Sequence, residues 1–176
     1  MAVQRATTKY VAILHDDDRW NPDFLARTLP LLKDHVGFVF SQATVSIDGV
    51  EKLNFKGVYG TGVLNACDLI DGMSLQNDII SPSCCVFRRT DVLNSLIVGG
   101  VPMADYVRGV MAGPDALITM LLAYKYGLAA FVEEPLVTFI GGEDSVTVKS
   151  DKQALMQNYA VAFKFARAVY DCARGA

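Results

Sequence analysis

KYVAILHDDD, residues 9–18, is the stretch of the sequence that indicates the fold. Its first six residues form a nearly continuous apolar run rich in β-forming side chains, which is typical of a buried parallel strand. The run ends abruptly in His15 and three aspartates, and open α/β sheets bind their ligands at the carboxyl ends of their strands. The stretch therefore predicts a parallel strand that delivers a polar cluster to a ligand-binding edge.

Alternating strands and helices are expected along the rest of the chain. Asn21-Pro22-Asp23 has the chemistry of a helix start and predicts a helix over about residues 22–33, which Pro30 would kink or shorten. Asp48-Gly49 is a strong hairpin signal. The other predicted elements are strands at 36–47, 50–55, 83–87, 129–132 and 136–140, and helices at 63–73, from 90, at 116–126 and at 151–173.

Length and composition favour a single domain over residues 1–176. The chain is 52% hydrophobic, which is enough for one compact core. Charged residues make up 20% and the formal net charge is −3, so nothing suggests electrostatic capture of nucleic acid or anionic lipid. A nucleic-acid partner is therefore not expected.

Cysteine usage and hydropathy indicate the compartment. Cys67, Cys84, Cys85 and Cys172 include no CxxC pair, and the adjacent two lie in an apolar run, which favours reduced core thiols and a cytoplasmic protein. No apolar stretch is long enough to span a bilayer, so we expect no transmembrane segment.

The acidic triplet Asp16-Asp17-Asp18 has two interpretations. Three consecutive carboxylates at the end of a buried strand repel one another, and a divalent cation such as Mn²⁺ or Mg²⁺ is the simplest partner that offsets the repulsion. Such a cation also leaves sites open for diphosphate oxygens. Alternatively, the triplet is a solvated turn before the next helix, and the triplet alone leaves both interpretations open.

The surrounding sequence, YVAILHDDDRWNPDFL at residues 10–25, resembles the acidic-motif region of the family-2 inverting glycosyltransferases with the GT-A fold. In that family an apolar strand, an Asp-x-Asp-Asp motif, an aromatic residue, a proline and an apolar helix follow one another in this order. The resemblance implies a partial GT-A fold of the α/β class, with three layers and a mixed, mainly parallel sheet flanked by helices.

Position by position, the resemblance assigns a donor and metal site. His15 stands where the family has the first aspartate of its motif, Asp17 where it has the second, and Asp18 where it has the next acid. The implied metal ligands are Asp17 and Asp18, and the implied donor contacts are His15, Asp16 and Asp17. Arg88 has a further interpretation as a phosphate contact, with a solvated residue after a strand as the alternative.

A second block of resemblance covers the segment from Gly113-Pro114-Asp115 to residue 139. There an acid at a helix start is the family's catalytic base, and Asp115 fits that position. The implied reaction is transfer of a sugar from a nucleotide diphosphate donor to a hydroxyl acceptor, with inversion at the anomeric carbon. The alternative is that Asp115 is only a first-turn acid favoured by the helix dipole.

The acidic motif falls early in this chain, whereas the resemblance places it after two nucleotide-binding βα units. We therefore expect an N-terminally truncated domain, with a homo-oligomer or a partner chain supplying the missing half. A sheet cut in this way would expose an edge. The alternative function is a non-catalytic binding or assembly module derived from a glycosyltransferase.

Overall fold

The computed structural model describes residues 2–58, 60–76, 79–96, 114–141 and 152–175. In chain order the elements are α1 (Ala2–Arg5), β1 (Tyr10–Ala12), β2 (Arg19–Trp20), α2 (Phe24–Thr28), β3 (Phe38–Ile47), β4 (Val50–Leu53), β5 (Gly62–Asn65), α3 (Ala66–Gln76), β6 (Cys85–Arg88), α4 (Arg89–Ser95), α5 (Pro114–Tyr126), β7 (Leu128–Gly141) and α6 (Lys152–Gly175). Short 3-10 helices lie at Leu29–Leu31 and Pro82–Cys84.

The seven described strands form one sheet that curls strongly into a half-barrel. The strand order is β1-β6-β3-β7-β2, and β4 and β5 pair with β3 and β7, respectively. Among these strands only the β3–β7 pairing is parallel, and the other five pairings are antiparallel. The predicted partial GT-A architecture with a mainly parallel sheet is therefore wrong.

The error has a physical cause in the burial of the inner strands. In β3 the residues from Phe38 to Ala43 are all buried, and in β6 the residues from Cys85 to Phe87 are buried as well. A strand covered on both faces is apolar throughout whichever way its neighbours run. A continuous apolar run therefore indicates burial on two faces, and it does not determine strand direction.

Strand β1 also differs from its prediction. It comprises only Tyr10–Ala12, is partly buried, and lies at an end of the strand order, antiparallel to β6. The side chains of Tyr10 to Ile13, which favoured a buried parallel strand, pack against the core from the edge of the sheet, whereas Leu14 is 42% exposed.

Two features specified by local sequence, a hairpin turn and a helix end, are confirmed, whereas the predicted helix at 63–73 begins only at Ala66, because residues 62–65 form β5. Asp48 and Gly49 both have positive φ, 51° and 78°, as a tight two-residue hairpin turn between β3 and β4 requires. Helix α5 ends before Gly127, whose φ is 71°. The predicted helix over 22–33 is shorter than expected, because α2 gives way to a 3-10 helix that contains Pro30.

The two strands predicted on either side of Glu133-Glu134-Pro135 are one strand, β7. Its pairing with β3 shifts register between Ser41 and Gln42 and again between Gln42 and Ala43, opposite the segment that contains Pro135. Bulges of this kind accommodate a proline and increase local twist. The polar segment therefore bends the strand and does not end it.

Aromatic side chains from three strands and a loop fill the core. Phe40 contacts Phe131 at a centroid distance of 4.9 Å and Phe55 edge-on at 5.4 Å. Helix α5 packs against α6, in which Tyr159 and Phe163 lie on one buried face. The core thus lies between the curled sheet and the helices that cover it.

A buried acid joins α4, α5 and β6. Asp91 is 4% exposed and accepts hydrogen bonds from Lys125 at 2.7 Å, Tyr126 at 2.9 Å and Arg88 at 3.3 Å. Burial raises the pKa of the Asp91 carboxyl, but hydrogen bonds from Lys125, Tyr126 and Arg88, together with the charge of Lys125, outweigh that effect and hold the pKa below its ordinary value. The ionised form of Asp91 therefore stabilises the fold.

We predict that Asp91→Asn lowers the free energy of unfolding by about 2–3 kcal/mol at neutral pH, since it removes hydrogen bonds to a charged acceptor. Because the folded-state pKa lies below the ordinary value of 3.8, the part of this loss of stability that depends on the Asp91 charge is complete well above pH 3.8 and disappears as the pH falls through the folded-state pKa. Urea denaturation at a series of pH values from neutral to acidic measures the difference in unfolding free energy between the variant and wild type. Asp34→Asn, at an exposed acid, is the control, and equal stability of Asp91→Asn and wild type at neutral pH would contradict the prediction.

Candidate cation and nucleotide site

The segment 13–18, called the acidic loop below, connects the two ends of the strand order, β1 and β2. In a flat sheet four strand spacings come to roughly 19 Å. The seven backbone steps between the strands reach at most about 24 Å. The connection therefore has little slack, and the curl of the sheet shortens the gap that it crosses.

Three side chains converge in the acidic loop. One ligand atom each from His15, Asp17 and Asp18 lies within 4.8 Å of the other two. Nδ1 of His15 is 3.6 Å from Oδ2 of Asp18, and the backbone N–H of Asp18 donates to the carbonyl of His15 at 3.2 Å. The tight turn thus brings an imidazole and two carboxylates to one place.

The two acids have different environments. Asp17 is exposed, whereas the side chain of Asp18 is only 6% exposed. Burial is the largest influence on Asp18 and, together with the charge of Asp17, it raises the pKa of the Asp18 carboxyl above its ordinary value. Hydrogen bonds from the Ser83 hydroxyl and the Ile140 backbone N–H, with the nearby His15, oppose that rise only in part. The protein therefore offsets the charge of Asp18 incompletely.

Ser83 and Trp20 fix the acidic loop to the sheet. The hydroxyl of Ser83 accepts a hydrogen bond from the backbone N–H of His15 at 3.1 Å, and its carbonyl accepts one from Nε1 of Trp20 at 2.7 Å. The Trp20 ring stacks on Phe24 at a centroid distance of 4.9 Å. The loop is therefore held on both sides of its acids.

The donor set fits a divalent cation after small side-chain rotations. Ligand atoms about an octahedral ion are roughly 3 Å apart when adjacent and roughly 4.2 Å apart when opposite, so the 4.8 Å spread must close slightly. The exposed Asp17 side chain has room for that movement. An imidazole beside two carboxylates favours Mn²⁺ over Mg²⁺, since Mg²⁺ prefers oxygen ligands.

The other predicted site residues do not join this group. Asp16 is exposed in the same turn. Arg88 lies at the end of β6 remote from Ser83, where it donates to the carbonyls of Lys33 and Val36. The side chain of Asp115 lies outside the described residues, and the backbone of Asp115 is in the first turn of α5.

Ser83 and Ile140 are the site contacts that the sequence analysis missed. Ser83 is separated from His15 by 68 residues, and Ile140 contributes only its backbone N–H. The one available signal was the polar Ser81-Pro82-Ser83 sequence immediately before an apolar strand, and it does not specify a partner.

No protein-family model and no curated protein matches the chain. Within the part of the chain that the structure describes, no helix combines the length and the apolar character needed to cross a membrane. The fold and the site thus define a class, an α/β protein with a curled mixed sheet and a candidate cation site in the loop that joins its edges.

We predict that Asp18→Asn raises the melting temperature by a few degrees at neutral pH without added metal. The amide is similar in shape and removes a carboxyl group whose folded-state pKa is raised. Ionisation of such a group lowers the stability of the fold as the pH rises through that pKa, and the amide does not ionise. Differential scanning fluorimetry measures the change. Asp16→Asn, at an exposed acid of the same turn, is the matched control. A lower melting temperature for Asp18→Asn would show that its charge is needed for folding.

Proposed function

We propose that the chain binds a divalent cation together with the diphosphate of a nucleotide sugar at the acidic loop, and that it transfers the sugar to a hydroxyl acceptor with inversion. The observation that carries the proposal is the convergence of His15, Asp17 and Asp18 within 4.8 Å. A bound cation would supply charge that stabilises the departing diphosphate. The sequence resemblance of residues 10–25 supports the same substrate class.

In this proposal the residues of the loop have separate tasks. Asp17, which is exposed, contacts the cation and moves to complete its ligand sphere. Asp18, whose side chain is 6% exposed and interacts with Ser83 and Ile140, offers its carboxylate oxygens. His15 contributes a nitrogen ligand or a hydrogen bond to the donor. We assign Arg88 no role in donor binding, because its guanidinium donates hydrogen bonds to two backbone carbonyls and to the carboxylate of Asp91.

Asp115 is the proposed general base that accepts the proton of the acceptor hydroxyl. Its helix, α5, contacts the 3-10 helix that carries Ser83, and the hydroxyl of Thr119, one turn further along α5, lies 3.4 Å from the carbonyl of Ile80. These contacts connect the first turns of α5 to the segment that anchors the acidic loop, which supports a shared site.

We predict that Mn²⁺ and a nucleotide sugar together raise the melting temperature, and that Asp17→Ala abolishes the increase while leaving the melting temperature of the protein alone within a few degrees of wild type. A ligand that binds only the folded state must stabilise it, and the exposed Asp17 side chain makes no described contact that the fold needs. A thermal-shift titration with Mn²⁺, UDP, UDP-sugars and GDP-sugars, separately and combined, measures the effect.

Asp34→Ala is the matched control, since Asp34 is an exposed acid near the Arg88 end of the sheet. It should respond to ligand as wild type does. If wild type shows no shift with any combination, or if Asp17→Ala responds fully, the proposed site is wrong. Loss of turnover in Asp115→Asn with retained ligand stabilisation would assign the base.

The exposed apolar residues of one hairpin favour a second candidate, self-association. Ile47, Val50 and Leu53 at the β3–β4 hairpin are 45%, 59% and 56% exposed. Strand β4 pairs only with β3 among the described strands, and an unpaired edge is a template for another strand. We infer an assembly module in which the hairpin contacts a second copy of the chain.

We predict that the double variant Val50→Glu, Leu53→Glu is monomeric under conditions in which wild type is an oligomer, because a charge replaces an apolar contact. Light scattering after gel filtration measures the mass. Val169→Glu, at an exposed apolar residue of α6, is the control and should leave the mass of the oligomer unchanged. A monomeric wild type would exclude this candidate and leave the proposed catalytic site untouched.

A further inference from the structure

Ser83 contacts both the acidic loop and the strand that follows it. It is fully buried in the 3-10 helix before β6. Its hydroxyl accepts a hydrogen bond from the backbone N–H of His15 at 3.1 Å, and the same side chain lowers the pKa of the Asp18 carboxyl. Its carbonyl accepts the Nε1–H of Trp20, just beyond the loop, at 2.7 Å. One residue thus accepts hydrogen bonds from two groups that are 68 and 63 residues away in sequence.

We propose that Ser83 is the positioning residue of the acidic loop, and that its hydroxyl holds the loop in the conformation in which His15, Asp17 and Asp18 converge. The functional meaning of this inference rests on the proposed cation site. The restraint itself is a property of the chain without any ligand, so it can be tested separately.

Removal of the hydroxyl should act on the loop more than on the core. The backbone N–H of His15 would lose its acceptor, and the Asp18 carboxylate would lose a polar group that favours its charged form while still facing the charge of Asp17. Movement toward water would then lower the free energy of the charged Asp18 side chain. Loss of a partner that orients a ligand commonly weakens metal binding about 10–100-fold.

Trp20 provides a direct signal for this movement. It is the one tryptophan of the chain, its indole N–H is bonded to the Ser83 carbonyl, and its ring is stacked on Phe24. The fluorescence of the whole protein therefore reports on the residue next to the acidic loop, both in the metal-free state and when a paramagnetic ion such as Mn²⁺ quenches it.

The test compares wild type with Ser83→Ala, using the full chain. In the metal-free state Ser83→Ala should show a red-shifted Trp20 emission and stronger quenching by acrylamide, with an unchanged far-ultraviolet circular dichroism spectrum. In a Mn²⁺ titration it should bind about tenfold or more weakly. Ser83→Thr, which keeps the hydroxyl, should restore both signals toward wild type. A merely structural role would not depend on the hydroxyl in this way.

Ser41→Ala is the matched control. Ser41 is a buried serine of β3 whose hydroxyl has no hydrogen-bond partner among the described residues, so its removal should leave Trp20 emission and Mn²⁺ affinity at wild-type values. If Ser83→Ala does not fold, Ser83→Cys, with a side chain of similar size and a weak donor, takes its place.

The possible results separate this inference from the proposed function. Identical metal-free emission and acrylamide quenching in wild type and Ser83→Ala would overturn the positioning role, whatever the metal result. A wild-type protein without saturable Mn²⁺ quenching would overturn the proposed cation site, and the metal-free fluorescence would still decide the role of Ser83.

Discussion

The parallel pairing of β3 with β7 is the contact on which the rest of the structure depends. It extends from Val39 opposite Ala130 to Ile47 opposite Gly141. Of the other five strands, four pair directly with this central pair, and β1 joins it through β6. The connection from β3 to β7 contains α3, α4 and α5, which provide the crossover that a parallel pair needs. The bulge beside Gln42 increases the twist, in agreement with the curl of the sheet.

The curl of the sheet determines which groups lie beside the acidic loop. A six-residue connection joins β1 and β2 across the curled sheet, and it brings its acids beside the segment before β6 and the end of β7. There a buried serine and a backbone N–H offset part of the charge on Asp18. The remaining charge opposes folding slightly, whereas the proposed function requires it for cation binding, so stability and the proposed function act against each other at this position.

The sequence predicted those features that depend on neighbouring residues. The turn at Asp48-Gly49 and the end of α5 at Gly127 follow from local backbone conformation. Strand direction was predicted wrongly, because it depends on pairings between distant segments that apolar runs do not encode. The clustering of His15 with the acids follows from their adjacency in sequence. The contact of the loop with Ser83, and the hydrogen bonds that Arg88 donates to backbone carbonyls, join distant segments and arise only in the folded chain.

Anomalous diffraction from crystals soaked with Mn²⁺ and UDP is the decisive test of the proposed cation site, because it locates the ion without assuming its ligands. We expect one strong anomalous peak between His15, Asp17 and Asp18, with diphosphate oxygens of the nucleotide completing the ligand sphere. An ordered acidic loop with no peak beside it, or a nucleotide bound elsewhere on the protein, would show that the acidic loop is not the cation site.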